Sequence, residues 1–176
     1  MGDFRPYTQA ELEQIERDQN DPKWLEWIAP ENMNAQLDAF LNETVPDMPD
    51  DPWSAQGLDH AERAALSIFP TVDSTLVPEN RAVADQFHRF IGEVFRRNFE
   101  GVWRNVPSFD DAKRSRGFGP VIHRPFAEFY LGVVPALTTA IDRKTSSTWA
   151  QGFRYSEEDY RVWVEAGRPT LSGRRD

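Results

Sequence analysis

The sequence contains no cysteine, which excludes disulfide bonds, thiolate nucleophiles and sulfur-ligated metal sites. Long apolar runs are also missing, because the longest one, 129–137, is interrupted by Gly132 and Pro135. The first residues carry neither the basic region nor the apolar region of a secretory signal. We therefore expect a cytoplasmic protein that is not exported and does not bind membranes.

Basic residues are scarce relative to acidic ones, with 20 Lys and Arg against 29 Asp and Glu and a net charge of −9. This balance argues against nucleic acid or an anionic membrane as the main partner, since both are bound by neutralising phosphates with basic side chains. The chain is 39% hydrophobic and contains 6 Trp and 12 Phe, enough to bury a core. A length of 176 residues predicts a single domain, 1–176.

The charge is divided unevenly along the chain. The first 80 residues contain 17 acidic and 4 basic residues, whereas the remaining 96 contain 12 acidic and 16 basic ones. One interpretation is an acidic surface that attracts a basic partner. The other is that the two halves pack together and their charges compensate within the fold. The sequence leaves both open.

Helix signals dominate the first half. Thr8 and Glu11 have the spacing of a capping box and predict a helix from about Gln9 to Asp18. Two further helices are predicted to begin at Pro22 and Pro30. A proline-rich loop, 45–57, follows, with its Trp53 predicted to pack against the protein. We divide the chain into an acidic helical part (1–57), a central α+β core (58–169) and a mobile tail (170–176).

Within the core, Asp59 and Glu62 predict the start of a helix that ends near Phe69, and 79–99 predicts a long central helix. On that helix Arg89, Glu93 and Arg97 follow at i,i+4 spacing, which predicts ion pairs on its wetter side. Short strands are expected near Val102 and Val121, and helices from Pro135 and Ser156, with 126–134 ambiguous between strand and helix. The predicted fold class is α+β, a helix-rich single domain with a small antiparallel or mixed sheet packed on the long central helix.

No arrangement of residues predicts catalysis. The histidines occur in unrelated contexts, and no spacing of metal ligands or glycine-rich phosphate loop is present. His123 and Glu128 could form an acid/base pair, but no nucleophile or orienting group accompanies them. We therefore predict no catalytic residues, no cofactor, no metal and no enzymatic activity.

One segment combines basic residues, glycines and an aromatic ring in a predicted loop. Glycine allows a close approach of the backbone to another surface, while the bases offer donors to phosphate or carboxylate and the ring offers a stacking face. The segment could be a probe inserted into a partner's cleft, a nucleotide or anion site of its own, or a solvated connector. Its candidate partner-binding residues are Lys113, Arg114, Ser115, Arg116, Gly117, Phe118 and Gly119.

The segment FHRFIGEVFRRNFEGVW, 87–103, leads into this basic glycine loop and a short strand. In this respect the chain resembles the small cytosolic immunity proteins of actinobacteria over roughly 82–150. In size and style it is similar to the immunity factors that protect mycobacteria from the tuberculosis necrotizing toxin, a secreted NAD glycohydrolase. The resemblance implies tight binding to the toxin's catalytic domain, in a 1:1 complex, with blockage of the NAD-binding cleft.

Two other functions remain open on the sequence alone. The same loop could serve a small nucleotide- or anion-binding domain, or the chain could be an interaction subunit of another complex. An inhibitor needs no chemistry of its own, because occupying a cleft with a well-fitted segment is sufficient.

Overall fold

The computed structural model describes residues 6–107 and 119–171. In these ranges five α-helices precede the strands: α1 Gln9–Asp18, α2 Pro22–Ile28, α3 Pro30–Ala39, α4 Ala55–Ile68 and α5 Arg81–Asn98. A π-helical turn, Phe40–Thr44, extends α3, and 3-10 turns occupy Asp73–Thr75 and Pro78–Asn80. Three strands follow: β1 Val102–Asn105, β2 Pro120–His123 and β3 Leu131–Gly132. The helices α6 Val133–Arg143 and α7 Thr148–Glu165 come last.

The strands form one antiparallel sheet in the order β1-β2-β3. Val102 faces His123 across β1 and β2, and Asn105 faces Pro120 at the other end of the pair. The prediction of a helix-rich α+β fold with a small sheet is confirmed, and the sheet is antiparallel. None of the helices in 6–107 and 119–171 combines the length and the apolar character needed to cross a membrane.

Helix α5 lies at the centre, as predicted, because its apolar face contacts elements from both halves of the chain. Phe90 of α5 stacks on Phe40 at 4.6 Å between ring centroids, and Phe87 meets Trp149 at 6.3 Å. One continuous core joins these residues, and its largest fully buried side chains include Trp24, Phe40, Phe69, Phe87, Phe90, Ile91 and Leu137. The sheet packs on the same helix, with Trp103 of β1 lying over Gly92.

The proline-rich loop is fastened to α5, which confirms the predicted role of Trp53. The Trp53 ring packs 5.6 Å from the ring of Phe90, and the guanidinium of Arg97 lies 3.7 Å from the Trp53 ring centroid. The Asn98 amide donates to the Trp53 carbonyl at 2.8 Å. The loop therefore has a fixed anchor on the central helix.

Helix α4 begins earlier than predicted. Its N-cap is Ser54, whose hydroxyl accepts from the backbone N–H of Gly57 at 3.1 Å, so Asp59 and Glu62 lie inside the helix. Glu62 caps a different helix instead. Its carboxylate accepts from the backbone N–H groups of Thr148 at 3.0 Å and Trp149 at 2.8 Å, at the start of α7.

The last helix is also longer than predicted. Ser156 was expected to cap it, but α7 begins at Thr148 and Ser156 is buried within it. The Ser156 hydroxyl accepts from the Arg124 guanidinium at 2.7 Å. Burial of Trp149 and Phe153 against α5 stabilises the additional turns. The predicted mobile tail lies largely outside the described residues, which end at 171.

The prediction that Arg89 and Glu93 lie on the wetter side of α5 is wrong. Arg89 is 4% exposed and Glu93 is 3% exposed. Arg89 pairs with Asp85 at 2.7 Å and not with Glu93. Glu93 is surrounded by donors, which Trp103, Arg96 and Arg97 contribute. Both charges can be buried at a tolerable cost because each one is paired and hydrogen-bonded.

The hydrogen bonds to Glu93 also determine its ionisation. Burial opposes the charged form, but hydrogen bonds from Arg96, Trp103 and Arg97 outweigh it, and the pKa of the carboxyl lies below its ordinary value. The carboxylate accepts from Arg96 Nε at 2.6 Å and from Trp103 Nε1 at 2.8 Å. A charged Glu93 thus ties β1 to α5.

Candidate protein-interaction site

The predicted partner-binding segment belongs to the connection between β1 and β2. Its residues 113–118 lie outside the described residues, whereas Gly119 and both ends of the connection are described. The backbone N–H of Val106 donates to the Gly119 carbonyl at 2.8 Å, directly after the last residue pair of the two strands. The segment is therefore presented by an antiparallel hairpin whose two arms are joined at its base.

Asn105 closes this base from inside the protein. Its side chain is 1% exposed and bonds in two directions. The amide nitrogen donates to the Asp18 carbonyl at 2.8 Å, and the amide oxygen accepts from the Gly119 backbone N–H at 3.0 Å. One side chain thus fixes the second arm of the hairpin to the end of α1.

Gln19 holds the first arm in a similar way. Its amide oxygen accepts from the Asn105 backbone N–H at 2.9 Å, and its amide nitrogen donates to the Asn105 carbonyl at 2.7 Å. The same nitrogen lies 2.6 Å from the Ile15 carbonyl of α1. An ion pair between Arg104 and Glu16 adds a contact on the surface. We call Asp18, Gln19, Asn105 and Gly119 the hairpin clamp.

Gly119 is required by this geometry. A Cβ atom at this position would lie 2.3 Å from the Val106 carbonyl oxygen, which backbone atoms cannot accommodate without moving. Both polar backbone groups of Gly119 are bonded within the protein. Of the seven predicted partner-binding residues, Gly119 therefore has a structural role at the base.

Sequence reasoning missed Asn105, Gln19 and Asp18. Their contacts join residues that are 86 or 87 positions apart, and no local pattern reports such a pairing. The only local signal is a polar residue at the end of a strand that precedes a glycine-bearing loop. Such a residue is compatible with many roles.

Ion pairs between the two halves of the chain are few within residues 6–107 and 119–171. Among the described residues, only Arg104–Glu16 and Arg154–Asp59 join the first 80 residues to the rest, the latter at 4.0 Å. Basic residues of the second half pair mainly with acids of the same half, as Arg168 does with Glu100. Compensation by direct pairing is therefore slight within the part of the chain that the structure describes.

The exposed carboxylates of the first half cover α2, α3 and the loops that follow. Glu31 and Asp38 are two turns apart on α3 and point outward. Several such acids are exposed and form no ion pair with a described residue: Glu26, Glu31, Asp38, Glu43, Asp50, Asp51, Asp73 and Glu79. This surface can attract a basic partner over a distance of about 10 Å at ordinary ionic strength.

The histidines lie in separate places. His60 Nε2 is 3.1 Å from Asp47 Oδ1, and His123 packs against the ring of Tyr130 at 5.9 Å. Burial lowers the pKa of His88 to about 4, so this side chain is neutral at pH 7. Within the described ranges, no three metal-ligating side chains come together.

Comparison with known proteins leaves the family undetermined. A scan against protein-family models, a search of curated proteins and a search of solved structures each found no match.

Proposed function

We propose that this chain is an immunity protein that binds the catalytic domain of a secreted NAD-degrading toxin in a 1:1 complex and blocks its NAD-binding cleft. The observation that supports it best is the hairpin clamp. A buried asparagine and a glutamine fix both arms of the hairpin that carries the basic glycine-bearing segment. Holding the base of a binding segment in place reduces the conformational entropy lost on binding.

The charge distribution fits the same role. The exposed carboxylates of the first half would raise the rate of encounter with a basic rim around the partner's cleft. The segment 113–118 would then enter the cleft and exclude the substrate. In this proposal the chain acts in the cytoplasm and contributes binding alone.

The proposal is tested by changing the chemistry of the segment while the clamp stays intact. The loop variant carries Lys113→Ser, Arg114→Ser, Arg116→Ser and Phe118→Ala. NAD cleavage by the catalytic domain of the tuberculosis necrotizing toxin is measured with increasing amounts of each protein. We expect inhibition by the loop variant to be weaker by about 100-fold or more, since a few anchors carry most binding energy.

The control variant removes the same number of charges and one aromatic ring elsewhere. It carries Arg63→Ser, Arg143→Ser, Lys144→Asn and Tyr155→Ala, all at exposed positions. Its inhibition should stay within about threefold of the parent protein, because exposed sites outside an interface contribute little. Full inhibition by the loop variant would remove the segment from the mechanism, and no inhibition by the parent protein would contradict the proposed function.

Calorimetry distinguishes the proposed inhibitor from the alternative, a nucleotide- or anion-binding domain. NAD and common nucleotides are titrated into the isolated protein. Micromolar binding that the loop variant loses would favour the alternative over the inhibitor.

A further inference from the structure

A groove of about 420 Å³ opens between α2, α3 and α5. Its floor is formed by Trp27, Asp85 and Arg89, and its rim includes Lys23, Glu26 and Asn32. Most of the lining residues are polar or charged, and both charge signs are present. The accessible groups of this lining decide which ligand it favours.

Asp85 offers a carboxylate in a fixed position. Oδ1 accepts from Trp27 Nε1 at 2.7 Å and Oδ2 accepts from Arg89 Nε at 2.7 Å. The side chain is still 35% exposed, so its oxygens can accept further hydrogen bonds from the groove. A carboxylate held in this way needs no reorganisation when a cation arrives.

Arg89 is far less accessible than Asp85. Its side chain is 5% exposed, its guanidinium lies 4.1 Å from the Trp27 ring centroid, and Nη1 donates to the Trp27 carbonyl at 2.7 Å. Its positive charge is offset by Asp85 in the same ion pair. Arg89 thus serves mainly to hold the floor of the groove together.

The rim carries one acidic and one basic side chain. Glu26 is exposed and forms no ion pair with a described residue. Lys23 is the only exposed cation among the lining residues. The surrounding first half of the chain is strongly acidic. The accessible groups and the long-range field both favour a cation over an anion.

The groove also adjoins the hairpin. Trp27 meets Trp103 of β1 edge to face, with ring centroids 5.1 Å apart, and Trp103 lies two residues before Asn105 of the clamp. We propose that the groove is a second contact with the protein partner and takes one of its basic side chains, a lysine or an arginine. The identity of that partner rests on the proposed function, whereas the chemistry of the groove does not.

The groove is tested first without the toxin. L-argininamide is titrated into the protein while the Trp27 indole N–H, which donates to Asp85, is followed by NMR. We expect a saturable shift that glutamine amide at the same concentration and sodium chloride at the same ionic strength do not produce. Glu26→Lys should weaken argininamide binding by about fivefold or more, and Glu43→Lys, an equal change of charge on the π-helical turn, by less than about twofold. Absence of a saturable shift in the parent protein would overturn the proposal.

The toxin domain then tests whether the groove belongs to the interface. Glu26→Lys and Glu43→Lys should slow association to a similar extent, because both reduce the long-range attraction equally. Only Glu26→Lys should speed dissociation, by about tenfold. Equal dissociation rates in a complex that the parent protein forms would remove the groove from the interface. Argininamide binding without toxin binding would contradict the proposed function and leave the groove as a site for a basic side chain of another protein.

Discussion

The carboxylate of Glu62, in the middle of α4, accepts a hydrogen bond from the backbone N–H of Trp149 at 2.8 Å, across 87 residues of sequence. It also accepts from the preceding N–H, that of Thr148. Ser147, the residue at the N-cap position of α7, makes no side-chain capping bond. A fully buried glutamate from another helix therefore replaces the local cap and brings a negative charge to the positive end of the α7 dipole.

Glu62→Gln should lower the free energy of unfolding by about 2 kcal/mol, since the amide can accept at only one end and loses the charge. Glu62→Ala should cost about 3 kcal/mol, because both N–H groups lose their partner inside the protein. Urea denaturation measures both variants. Glu157→Gln, an exposed change on α7, serves as the control and should shift stability by less than about 0.5 kcal/mol. Equal effects at the two glutamates would show that the cap contributes nothing specific.

His88 should make the protein less stable in acid. Burial lowers its pKa in the folded protein to about 4, whereas an unfolded chain has a histidine pKa near 6.5. Between these values the unfolded chain binds a proton that the folded protein does not, so the free energy of unfolding falls as the pH decreases from about 6.5 to about 4. The contribution is fully present above pH 7.

His88→Gln removes this titration. Between pH 7 and pH 4.5 the free energy of unfolding of the parent protein should fall by about 1 to 3 kcal/mol more than that of the variant. Urea denaturation at several pH values measures both. All other ionisable groups are the same in both proteins, so the comparison reports on position 88 alone. Parallel pH profiles would contradict the assignment.

Replacing a helical glycine by alanine should destabilise the protein at Gly92 and stabilise it at Gly152. At Gly92 a Cβ would lie 2.0 Å from Cη2 of Trp103, whose indole is fixed by its bond to Glu93. Gly92→Ala should therefore cost about 3 kcal/mol and alter the near-ultraviolet dichroism of the tryptophans. At Gly152 nothing lies within 4 Å of the added atom, so Gly152→Ala should stabilise the protein by about 0.5 to 1 kcal/mol. Thermal denaturation compares the two, and destabilisation by both would refute the packing argument.

Asn105→Ala should loosen the base of the hairpin. The substitution leaves the Gly119 N–H without its partner and removes one of the two donors to the Asp18 carbonyl, which still accepts from the Asp21 N–H, at an expected cost of about 2 kcal/mol. Hydrogen exchange at Gly119 should accelerate more than exchange in α5. The proposed inhibition of the toxin domain should weaken by about tenfold although the segment 113–118 is unchanged. Unchanged inhibition with faster exchange would separate the clamp from partner binding.

The sequence predicted the elements whose signals are local. The capping box of Thr8 and Glu11 starts α1 as expected, and the apolar face of 79–99 identified α5 to within two residues. The strands near Val102 and Val121 were also found where predicted. In each case the stabilising residues are neighbours in the chain.

The errors share a different cause. Helix α7 was predicted too short because Ser156 was interpreted as its cap. Its first half is stabilised instead by burial of Trp149 and by the cap from Glu62. Arg89 was predicted to lie on the wetter side, but its guanidinium is buried. The partners that permit this are Asp85 and the carbonyl and ring of Trp27, and Trp27 is 62 residues away in sequence. The hairpin clamp was missed for the same reason. Partners that are distant in sequence leave no periodicity to detect.

The long sequence separation of these contacts bears on how quickly the protein folds. The Asn105 side chain reaches Asp18 across 87 residues, a span comparable to that between Glu62 and Trp149. Bringing residues so distant in sequence together lowers the conformational entropy of the chain before the contacts can stabilise it. Proteins with many non-local contacts therefore fold more slowly than bundles of local helices. The base of the hairpin is complete only after α1 and β1 have met, so we expect a newly made chain to complete this part of the fold late in folding.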